Sequence, residues 1–397
     1  MLYLDNAATT PLHPKALDAM MPYLTSDFGN PSGVHTVSRK IKHAIETARR
    51  SVADILGALP EEIFFTGGGT ESDNWAIAGA IEASKKGNHI ITTQAEHHGI
   101  FYLCKYLEKK GVPVTYLPVN SEGFVDPADI HQAIKLDTCI VSIIFANNEV
   151  GTIQPLQEIS AITKPKGVLL HTDAVQAVGH IPFNVNQIGA DLLSLSAHKF
   201  YGPKGIGLLY IRKGIPISSY LIGGAQERNK RAGTENIPGI IGLEAALKLS
   251  VEELPQEQAR LSALRDKLIK EILTNIPHTK LNGAAGDKRL PGNVNISFGF
   301  IEGEALLLHL DMQGICASTG SACSSGALDP SHVLMAMGLS HEQANGAIRF
   351  SLGRDFCEKD IGTLMSVLKP SVEKLRNLSP LYDDYIANSM ESTISPI

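Results

Sequence analysis

Short β-rich runs alternate with longer helical patterns along most of this chain. The runs that predict strands are Glu62–Thr66, His89–Thr93, Val114–Leu117, Ile140–Phe145, Val168–Thr172 and Leu192–Ser196. Helical patterns lie between them, one starting at Thr70 and another covering Phe101–Lys110. Strands that are separated by helices are joined by crossover connections, which make neighbouring strands parallel. The pattern therefore predicts an α/β fold around a mainly parallel sheet.

A second, smaller unit is predicted towards the C-terminus. The 397 residues leave room for two or three domains, since a domain has roughly 100–200 residues. Near residue 255 a Glu-rich stretch leads into the helical pattern Ala259–Asn275, and predicted strands follow at Gly292–Phe298 and Ile348–Leu352. After Ser379 the sequence shows no sustained periodicity. We expect a large domain at 14–255, a smaller α+β domain formed by 1–13 and 256–378, and a peripheral or disordered tail at 379–397.

Charge and hydropathy exclude several classes of partner. Lys and Arg number 35 and Asp and Glu number 41, which gives a net charge of −6 without any block of like charge. This balance favours neither a nucleic acid nor an anionic membrane surface. Met1–Asp5 has no basic region or long apolar stretch of the kind found in secretory signals. The longest apolar runs, such as Ile140–Ala146, cover about a third of the roughly 20 residues that a membrane helix needs. We expect a cytoplasmic protein.

Cysteine usage argues against disulfides and structural zinc. The five cysteines are an odd number and include no Cys-x-x-Cys pair. Cys139 lies in a predicted core strand and Cys104 in a helical pattern, so both are interpreted as small buried hydrophobic residues. The other three are Cys316, Cys323 and Cys357. One of the five could be a reactive thiol.

Residues of types that can bind ligands or take part in catalysis follow five of the predicted strands. They are Gly67–Ser72, Glu96–His98, Asn147–Glu149, Asp173–Gln176 and Ser196–Lys199. Ligands of open parallel sheets bind outside the carboxyl ends of the strands. Each segment alone is a weak indication, but five of them on one edge of a sheet would form a site.

Three of these segments together indicate a cofactor. In Gly67–Thr70, between a strand and a helix, Thr70 can cap the helix and the exposed amides favour an anion such as phosphate. The segment matches neither the nucleotide-binding P-loop nor the dinucleotide-binding glycine turn. Asp173 could meet a pyridinium nitrogen, and Lys199 has the amine for a Schiff base with an aldehyde. Together the three features suit the binding of pyridoxal 5'-phosphate. Taken alone, Gly67–Thr70 could be an ordinary glycine turn, and Asp173 and Lys199 could be ordinary ion-pair residues.

Motifs along nearly the whole chain carry a family resemblance. They are Tyr3–Pro11, Gly29–Ser32, Thr70–Asn74, Glu96–His97, Asn147–Glu149, His171–Gln176, Ser194–Lys199, Arg231–Thr234, Gly320–Cys323 and Ile348–Arg354. In this order they resemble the cysteine desulfurases of the NifS/IscS type, which are class V aminotransferase relatives among the fold-type I pyridoxal-phosphate enzymes. The resemblance implies the mainly parallel sheet of that fold with a smaller α+β C-terminal domain.

The resemblance implies roles around the cofactor ring. Lys199 would bind the cofactor covalently and later move protons at the substrate Cα and the cofactor C4′. Asp173 would keep the pyridine nitrogen protonated, so that the ring withdraws electrons. His97 would stack on the ring as an acid or base, since an unperturbed imidazole has a pKa near neutrality. Asn148 and Gln176 would hydrogen-bond the ring oxygen.

The resemblance also implies how the cofactor phosphate would be held. Gly69 and Thr70 would contribute from the helix start, and Ser196 and His198 from beside the lysine. Thr234 would reach the phosphate from the neighbouring subunit, which implies a homodimer.

Substrate and sulfur chemistry are implied at two further places. Arg349, with Asn148, would bind the carboxylate of L-cysteine, a role that suits a planar bidentate donor. Cys323 lies in the small-residue run Ser318–Ala327 of the smaller domain, which predicts a mobile loop. A thiolate that attacks the sulfur of a cofactor-bound cysteine must then carry the persulfide to an acceptor, and a flexible tether serves both positions.

The implied function is an L-cysteine desulfurase that forms L-alanine and a persulfide on Cys323 for an iron–sulfur scaffold or another acceptor protein. No resident metal is expected, and Cys323 is only a candidate transient iron–sulfur ligand together with a scaffold. One alternative is an aminotransferase or selenocysteine lyase of the same superfamily, although transamination has no use for a loop thiol. Another is a non-catalytic sulfur or metal carrier, which the ordered Asp173, His198 and Lys199 disfavour. The tail does not resemble the scaffold-docking end of the housekeeping members, so the acceptor stays open.

Overall fold

The centre of the molecule is a seven-stranded sheet. The computed structural model describes residues 1–320 and 330–393, with side chains up to residue 387 in the last helix. In chain order the strands are β1 (Leu2–Tyr3), β2 (Ile63–Thr66), β3 (His89–Thr93), β4 (Val114–Leu117), β5 (Thr138–Ser142), β6 (Leu169–Asp173), β7 (Leu192–Ser196), β8 (Gly207–Ile211), β9 (Thr279–Leu281), β10 (Asn293–Phe298), β11 (Ile315–Cys316) and β12 (Ala347–Ser351).

Helices connect and cover these strands. In chain order they are α1 (Pro14–Thr25), α2 (Thr36–Leu56), α3 (Gly69–Ala83), α4 (His98–Lys109), α5 (Pro127–Ala133), α6 (Leu156–Thr163), α7 (Val185–Ile188), α8 (Gln226–Asn229), α9 (Ile237–Asn275), α10 (Gly303–Asp311), α11 (His332–Ala336), α12 (His341–Asn345), α13 (Glu358–Arg376) and α14 (Pro380–Thr393). Within the described residues, none of them combines the length and the apolar composition that crossing a membrane requires.

The strand order of the central sheet is β2-β8-β7-β6-β5-β3-β4. The pairs β3/β4, β3/β5, β5/β6 and β6/β7 are parallel, which confirms the predicted mainly parallel sheet. Strand β8 pairs antiparallel with both β2 and β7, and the sequence pattern missed it. The reason is that a short link without a crossover helix returns the chain from Lys199 to Gly207. The predicted strand Ile140–Phe145 ends earlier, at Ser142.

Both faces of this sheet are buried. Phe65, Ile91, Val141 and Leu193 join the hydrophobic cluster that also contains the apolar residues of α2. Their immediate neighbours, Phe64, Ile90, Ile140 and Leu192, join a second cluster with Trp75 and Ile77 of α3. Successive side chains of a strand point to opposite faces, so these pairs show helices packed on each side.

A smaller sheet lies beyond this core. Strands β9, β10 and β12 form it in the order β12-β10-β9, with antiparallel pairing throughout. Its apolar residues share a separate cluster with Leu4 near the N-terminus and with the second half of α9, from Leu261 onwards. The 39-residue helix α9 runs through the predicted domain boundary near residue 255 without a break, so that boundary stays a prediction.

The C-terminal segment is more regular than its sequence predicts. The structure forms α14 over Pro380–Thr393, where no sustained periodicity was found. Tyr382 and Tyr385 of this helix contact the rings of His278 and Phe300 at centroid distances of 4.9–6.3 Å. Aromatic contacts to residues distant in sequence therefore hold a helix whose apolar pattern alone is weak.

A buried ion pair joins α2 to the chain at α8. Arg49 Nη1 and Nη2 donate to Glu227 Oε2 and Oε1, each at 2.8 Å, and the Phe65 N–H donates to Glu227 Oε2 at 3.1 Å. The exposed fractions of the Arg49 and Glu227 side chains are 5% and 3%. Glu227 has a left-handed φ of 42°, a conformation that costs free energy in a non-glycine residue. The ion pair therefore holds a strained turn against β2.

Glu227→Ala is expected to lower the free energy of unfolding by about 3–5 kcal/mol, because the Arg49 charge stays buried without its partner. Denaturant unfolding at fixed protein concentration measures the change. The matched control is Glu61→Ala, because Glu61 pairs with Lys213 at the surface and its side chain is 49% exposed. The control should leave stability almost unchanged, because an exposed ion pair contributes little. Equal stability of the two variants would contradict this account of the ion pair.

Candidate active site

The five polar segments predicted from the sequence meet at one edge of the central sheet. Strands β3, β5, β6 and β7 are parallel, and β2 has the same direction because both β2 and β7 are antiparallel to β8. Their carboxyl ends therefore lie on the same edge. The side chains that follow those ends are close enough to form one site.

An open cleft contains the residues predicted to hold a phosphate. Its lining includes Gly69, Thr70, Ser196 and His198, with Thr9, Gly67, Gly68, Glu71, Lys204 and Gly205 around them. Helix α3 begins at Gly69, and a Cβ on Gly69 would approach Val175 Cγ2 to 2.7 Å. Glycine thus allows the helix to start against the sheet edge, where its first N–H groups and its dipole favour an anion.

The expectation that Thr70 caps α3 is wrong. The N-cap is Gly68, whose φ of 151° favours glycine, and Thr70 lies inside the first turn. The helix begins earlier than the sequence pattern predicts because the glycine turn after Thr66 is short. With glycine at the N-cap no side chain of that residue takes up the first N–H groups, which suits an external anion.

Lys199 lies in the turn after β7, and its amine donates hydrogen bonds to a turn near the N-terminus. Lys199 Nζ donates to the carbonyl oxygens of Ala7 at 2.6 Å and Ala8 at 2.7 Å. His180 Nε2 donates to the Lys199 carbonyl at 2.9 Å, and Gln176 Nε2 donates to the Ala7 carbonyl at 2.8 Å. Lys199 and Gln176, both predicted to contact a cofactor, therefore meet at one carbonyl group.

Asp173 ends β6 close to His97 and to a second carboxylate. One ligand atom each of Asp73, His97 and Asp173 lies within 4.8 Å of the others. Asp173 Oδ1 accepts a hydrogen bond from the Val175 N–H at 2.9 Å. Burial raises the pKa of Asp173, while the nearby Lys199 charge lowers it. A cationic group such as a pyridinium would stabilise the ionised form of this carboxylate further.

Asp73 is a site residue that the sequence reasoning missed. It is 1% exposed, and His171 Nε2 lies 3.7 Å from its Oδ1. Burial and the charge of Asp173 raise the pKa of Asp73 well above its usual range. Asp73 lies four residues after Gly69 on α3, so both face the sheet edge. That spacing from the glycine turn is the signal that could have identified it.

Two histidines of the site, His97 and His198, have pKa values below the usual range of an imidazole. His97 is the N-cap of α4, and its Nδ1 accepts the Gly99 N–H at 3.1 Å, so the neutral ring carries its proton on Nε2. Burial, followed by the charge of Lys199, lowers the pKa of His97 to about 4. The pKa of His97 thus departs from that of an unperturbed imidazole, and its role as an acid or base stays a prediction. The same causes lower the pKa of His198 to about 4, and its Nδ1 hydrogen-bonds Thr9 Oγ1 at 3.1 Å.

Arg349 and Asn148 lie together, as a shared substrate-binding role requires. Arg349 is 2% exposed on β12 and donates from Nη1 to the Asn148 carbonyl at 2.9 Å. Its Nη2 donates to Asp5 Oδ1 at 2.9 Å. Among the described residues, neither Arg349 Nε nor Asn148 Oδ1 has a hydrogen-bond partner. Unpaired polar atoms in a buried position are costly, so this pair is suited to a polar ligand.

Thr234 lies in a second cavity that shares Gly67 and Gly205 with the phosphate cleft. Arg231 of the same loop forms an ion pair with Glu71 at 2.8 Å. The contribution of Thr234 to a neighbouring subunit stays a prediction.

Four cysteines lie within the described residues, and all four are free thiols. Cys104 and Cys139 are buried, which confirms their interpretation as core residues. Burial raises the pKa of the Cys104 thiol to about 12 and of the Cys139 thiol to about 11. Cys357 Sγ donates to Asp360 Oδ2 at 3.0 Å. Cys323 lies in the range 321–329, which is outside the described residues and includes most of the predicted loop Ser318–Ala327.

The donor set at the sheet edge fits a phosphate-bearing aldehyde such as pyridoxal phosphate. The glycine turn and the start of α3 line the open cleft, where the first N–H groups of the helix favour an anion. Asp173 offers a carboxylate to a ring nitrogen and Lys199 an amine to an aldehyde. The unpaired atoms of Arg349 and Asn148 leave polar groups for a substrate beside them.

Known proteins resemble this chain over most of its length. The family model for aminotransferase class-V matches residues 2–364. The cysteine desulfurase IscS of Clostridium botulinum (strain Hall) is 53% identical over 98% of this chain and 99% of the relative. Among solved structures, a NifS-like protein is 39% identical with a TM-score of 0.87, over 94% of this chain and 99% of that chain. SspA in complex with cysteine is 36% identical with a TM-score of 0.78, over 89% of this chain and 99% of that chain.

These matches confirm the fold-type I architecture that the motifs predict, because the likeness extends over nearly the full length of both chains. The chain therefore belongs to the class V aminotransferase family, together with the cysteine desulfurases that it resembles from end to end.

Proposed function

We propose that this chain is a pyridoxal-phosphate-dependent L-cysteine desulfurase. L-Cysteine and the thiol of Cys323 give L-alanine and a persulfide on Cys323, so that one sulfur atom moves and no external oxidant or reductant is consumed. The observation that carries the proposal is the meeting of the Lys199 amine, the buried Asp173 carboxylate and the anion cleft at one sheet edge. The relatives named as cysteine desulfurases and the SspA structure with cysteine support the same reaction.

Three groups of residues would hold the cofactor. The start of α3, with Ser196 and His198, takes the phosphate, and Asp173 takes the ring nitrogen. Lys199 takes the aldehyde carbon. When bound, the cofactor supplies an electron-withdrawing ring that weakens bonds at the substrate carbon atoms.

Lys199 also moves protons, at the substrate Cα and the cofactor C4′. The carbonyl oxygens of Ala7 and Ala8 receive its amine in the structure. The same carbonyls would hold the Lys199 amine near the substrate when it has no covalent bond to the cofactor. An amine that is held by hydrogen bonds and has no covalent bond to the cofactor is available for proton transfer.

His97, Asn148 and Gln176 complete the environment of the ring. His97 would stack on the ring as an acid or base, and burial, followed by the charge of Lys199, lowers its pKa and so favours the uncharged imidazole. The amides of Asn148 and Gln176 hydrogen-bond the ring oxygen, with Gln176 already aimed at the carbonyl that receives Lys199.

Arg349 binds the carboxylate of L-cysteine, with Asn148 beside it. Nε, which has no partner in the described part of the chain, belongs to a side chain that is 3% exposed, so the attraction acts with little competition from water. This contact selects an α-amino acid with a free carboxylate.

Cys323 receives the sulfur. The thiols of Cys104 and Cys139 are buried with raised pKa values, so burial opposes their ionisation. Cys323 is surrounded in sequence by small and polar residues, which favour an accessible thiol on a loop that can reach both cofactor and acceptor.

The proposal also covers the domains, the oligomeric state, the cellular location and the sulfur acceptor. We place the cofactor site in a large domain at 14–255 and the cysteine loop in a small domain at 1–13 and 256–378. The enzyme acts as a homodimer in the cytoplasm, with Thr234 contributing to the partner's phosphate site. The acceptor of the persulfide is an iron–sulfur scaffold or another sulfur-accepting protein.

A stoichiometry assay tests the proposed function. The purified protein loaded with pyridoxal phosphate is incubated with L-cysteine and a thiol reductant, and L-alanine and sulfide are quantified. Equal amounts of the two products are expected. Pyruvate and ammonia in place of L-alanine, or no product at all, would refute a desulfurase.

A further inference from the structure

Asp5 stands out among the groups that the proposed reaction does not yet use. Its Oδ1 accepts a hydrogen bond from Arg349 Nη2 at 2.9 Å, and this ion pair is mostly buried, with side-chain exposures of 21% and 3%. A carboxylate that occupies one end of a substrate-binding guanidinium either orients it or competes with the substrate. The surrounding contacts distinguish these two roles.

The guanidinium of Arg349 is held at two of its three nitrogens. Nη2 is bound by Asp5 and Nη1 donates to the Asn148 carbonyl, each at 2.9 Å. Within the described part of the chain, Nε is buried without a partner. The two contacts therefore fix the plane of the group while leaving a donor for an incoming carboxylate. This arrangement is that of an orienting partner.

The position of Asp5 is itself fixed from β12, the strand that carries Arg349. Asp5 forms a bridge with Ser351, and the side chain of Asn6 donates to the Ser351 carbonyl at 2.8 Å. The Ala7 N–H donates to Ser351 Oγ at 2.9 Å. Asp5 and Arg349 are therefore held in register by the backbone as well as by their charges.

The same turn reaches the other half of the site. The Asp5 carbonyl accepts the Ala8 N–H at 3.0 Å, which closes the turn, and the carbonyl oxygens of Ala7 and Ala8 receive Lys199 Nζ. One turn of four residues thus contacts both the predicted carboxylate-binding arginine and the predicted cofactor lysine. A rigid link of this kind sets the distance between two groups that must bind the same substrate.

We propose that Asp5 is a positioning residue for amino-acid binding, whose carboxylate holds the Arg349 guanidinium in the orientation that receives the substrate carboxylate. The inference rests on the proposed function and adds the residue that aligns its substrate arm with Lys199. Asp5 contributes orientation, and the direct contact to substrate is made by Arg349.

The variants Asp5→Asn and Asp5→Ala test this role in the enzyme loaded with its cofactor. Asn keeps an oxygen acceptor and removes the charge, whereas Ala removes both. KM for L-cysteine, and Kd for L-alanine from the absorption change of the bound cofactor, should each rise about tenfold or more, with the larger rise in Asp5→Ala. The value of kcat should stay within about threefold, because Asp5 contacts no reacting atom. Asp287→Asn, in an exposed turn, is the matched control and should change none of these values.

A substrate analogue without the carboxylate separates orientation from general damage. Binding of 2-aminoethanethiol should be equally weak in the wild type and both Asp5 variants. Unchanged or lower KM and Kd in the variants would overturn the proposal, and so would an equal loss of 2-aminoethanethiol binding. The Kd for L-alanine is measured without turnover. Failure of the Asp5 proposal can therefore be distinguished from failure of the proposed function, in which the wild type would form no L-alanine.

Discussion

Lys199→Ala is expected to lower the rate of L-alanine formation by at least about a thousandfold. The variant loses both the covalent bond to the cofactor aldehyde and the amine that moves protons at the substrate carbon atoms. The two carbonyl groups that receive Lys199 Nζ, from Ala7 and Ala8, cannot replace it because carbonyl oxygens neither bond to an aldehyde nor donate a proton. Steady-state assays at saturating cofactor and L-cysteine measure the loss.

The same variant should still bind pyridoxal phosphate. The phosphate cleft and Asp173 remain, so the cofactor is retained without its covalent bond and absorbs as the free aldehyde. Lys213→Ala serves as the control, because that lysine pairs with Glu61 at the surface and is 69% exposed. Retention of more than a tenth of wild-type activity by Lys199→Ala would place the catalytic amine elsewhere.

Cys323→Ala should abolish sulfide release while leaving the cofactor in place. Without the thiol no group accepts the sulfur of bound L-cysteine, so we expect a loss of at least about a hundredfold in sulfide formation. L-Cysteine should still change the absorption of the bound cofactor, because Arg349, Asn148 and Lys199 are untouched. Sulfide assays and cofactor spectra on the same preparation separate the two effects.

The control for Cys323→Ala is Cys316→Ala, because Cys316 is a free, half-buried thiol close in sequence to the loop. It should retain wild-type activity. Full sulfide release by the Cys323 variant, or loss of release in the Cys316 variant alone, would contradict the assignment of the nucleophile.

The sequence predicted the parts of the fold that rest on local pattern. Strands β3 and β7 have the predicted bounds, because each is a short, fully buried strand followed directly by polar residues. Strand β8 was missed because its antiparallel return needs no helix, which removes the alternation on which the prediction depends. The tail helix was missed because contacts to His278 and Phe300, distant in sequence, stabilise it.

The site shows the same division. Gly69, Asp173 and Lys199 could be identified because each lies at or just after the end of a recognisable strand, and their residue types suggest cofactor chemistry. The pKa of His97 could not be predicted from the sequence, since its shift to about 4 comes from burial and from charges that only the folded chain brings near. The sequence did not identify Asp73 and Asp5 as site residues for a related reason. Their importance depends on Asp173 and Arg349, which are distant in sequence and close only in the fold.

Mass spectrometry of the enzyme after incubation with L-cysteine tests the central claim most directly. The protein loaded with pyridoxal phosphate is treated with L-cysteine in the absence of reductant and acceptor, then alkylated and digested. The account predicts the added mass of one sulfur atom on the peptide that contains Cys323, with none on this peptide when L-serine replaces L-cysteine. Sulfur added instead to a peptide with Cys316 or Cys357, or to no peptide while L-alanine accumulates, would contradict it.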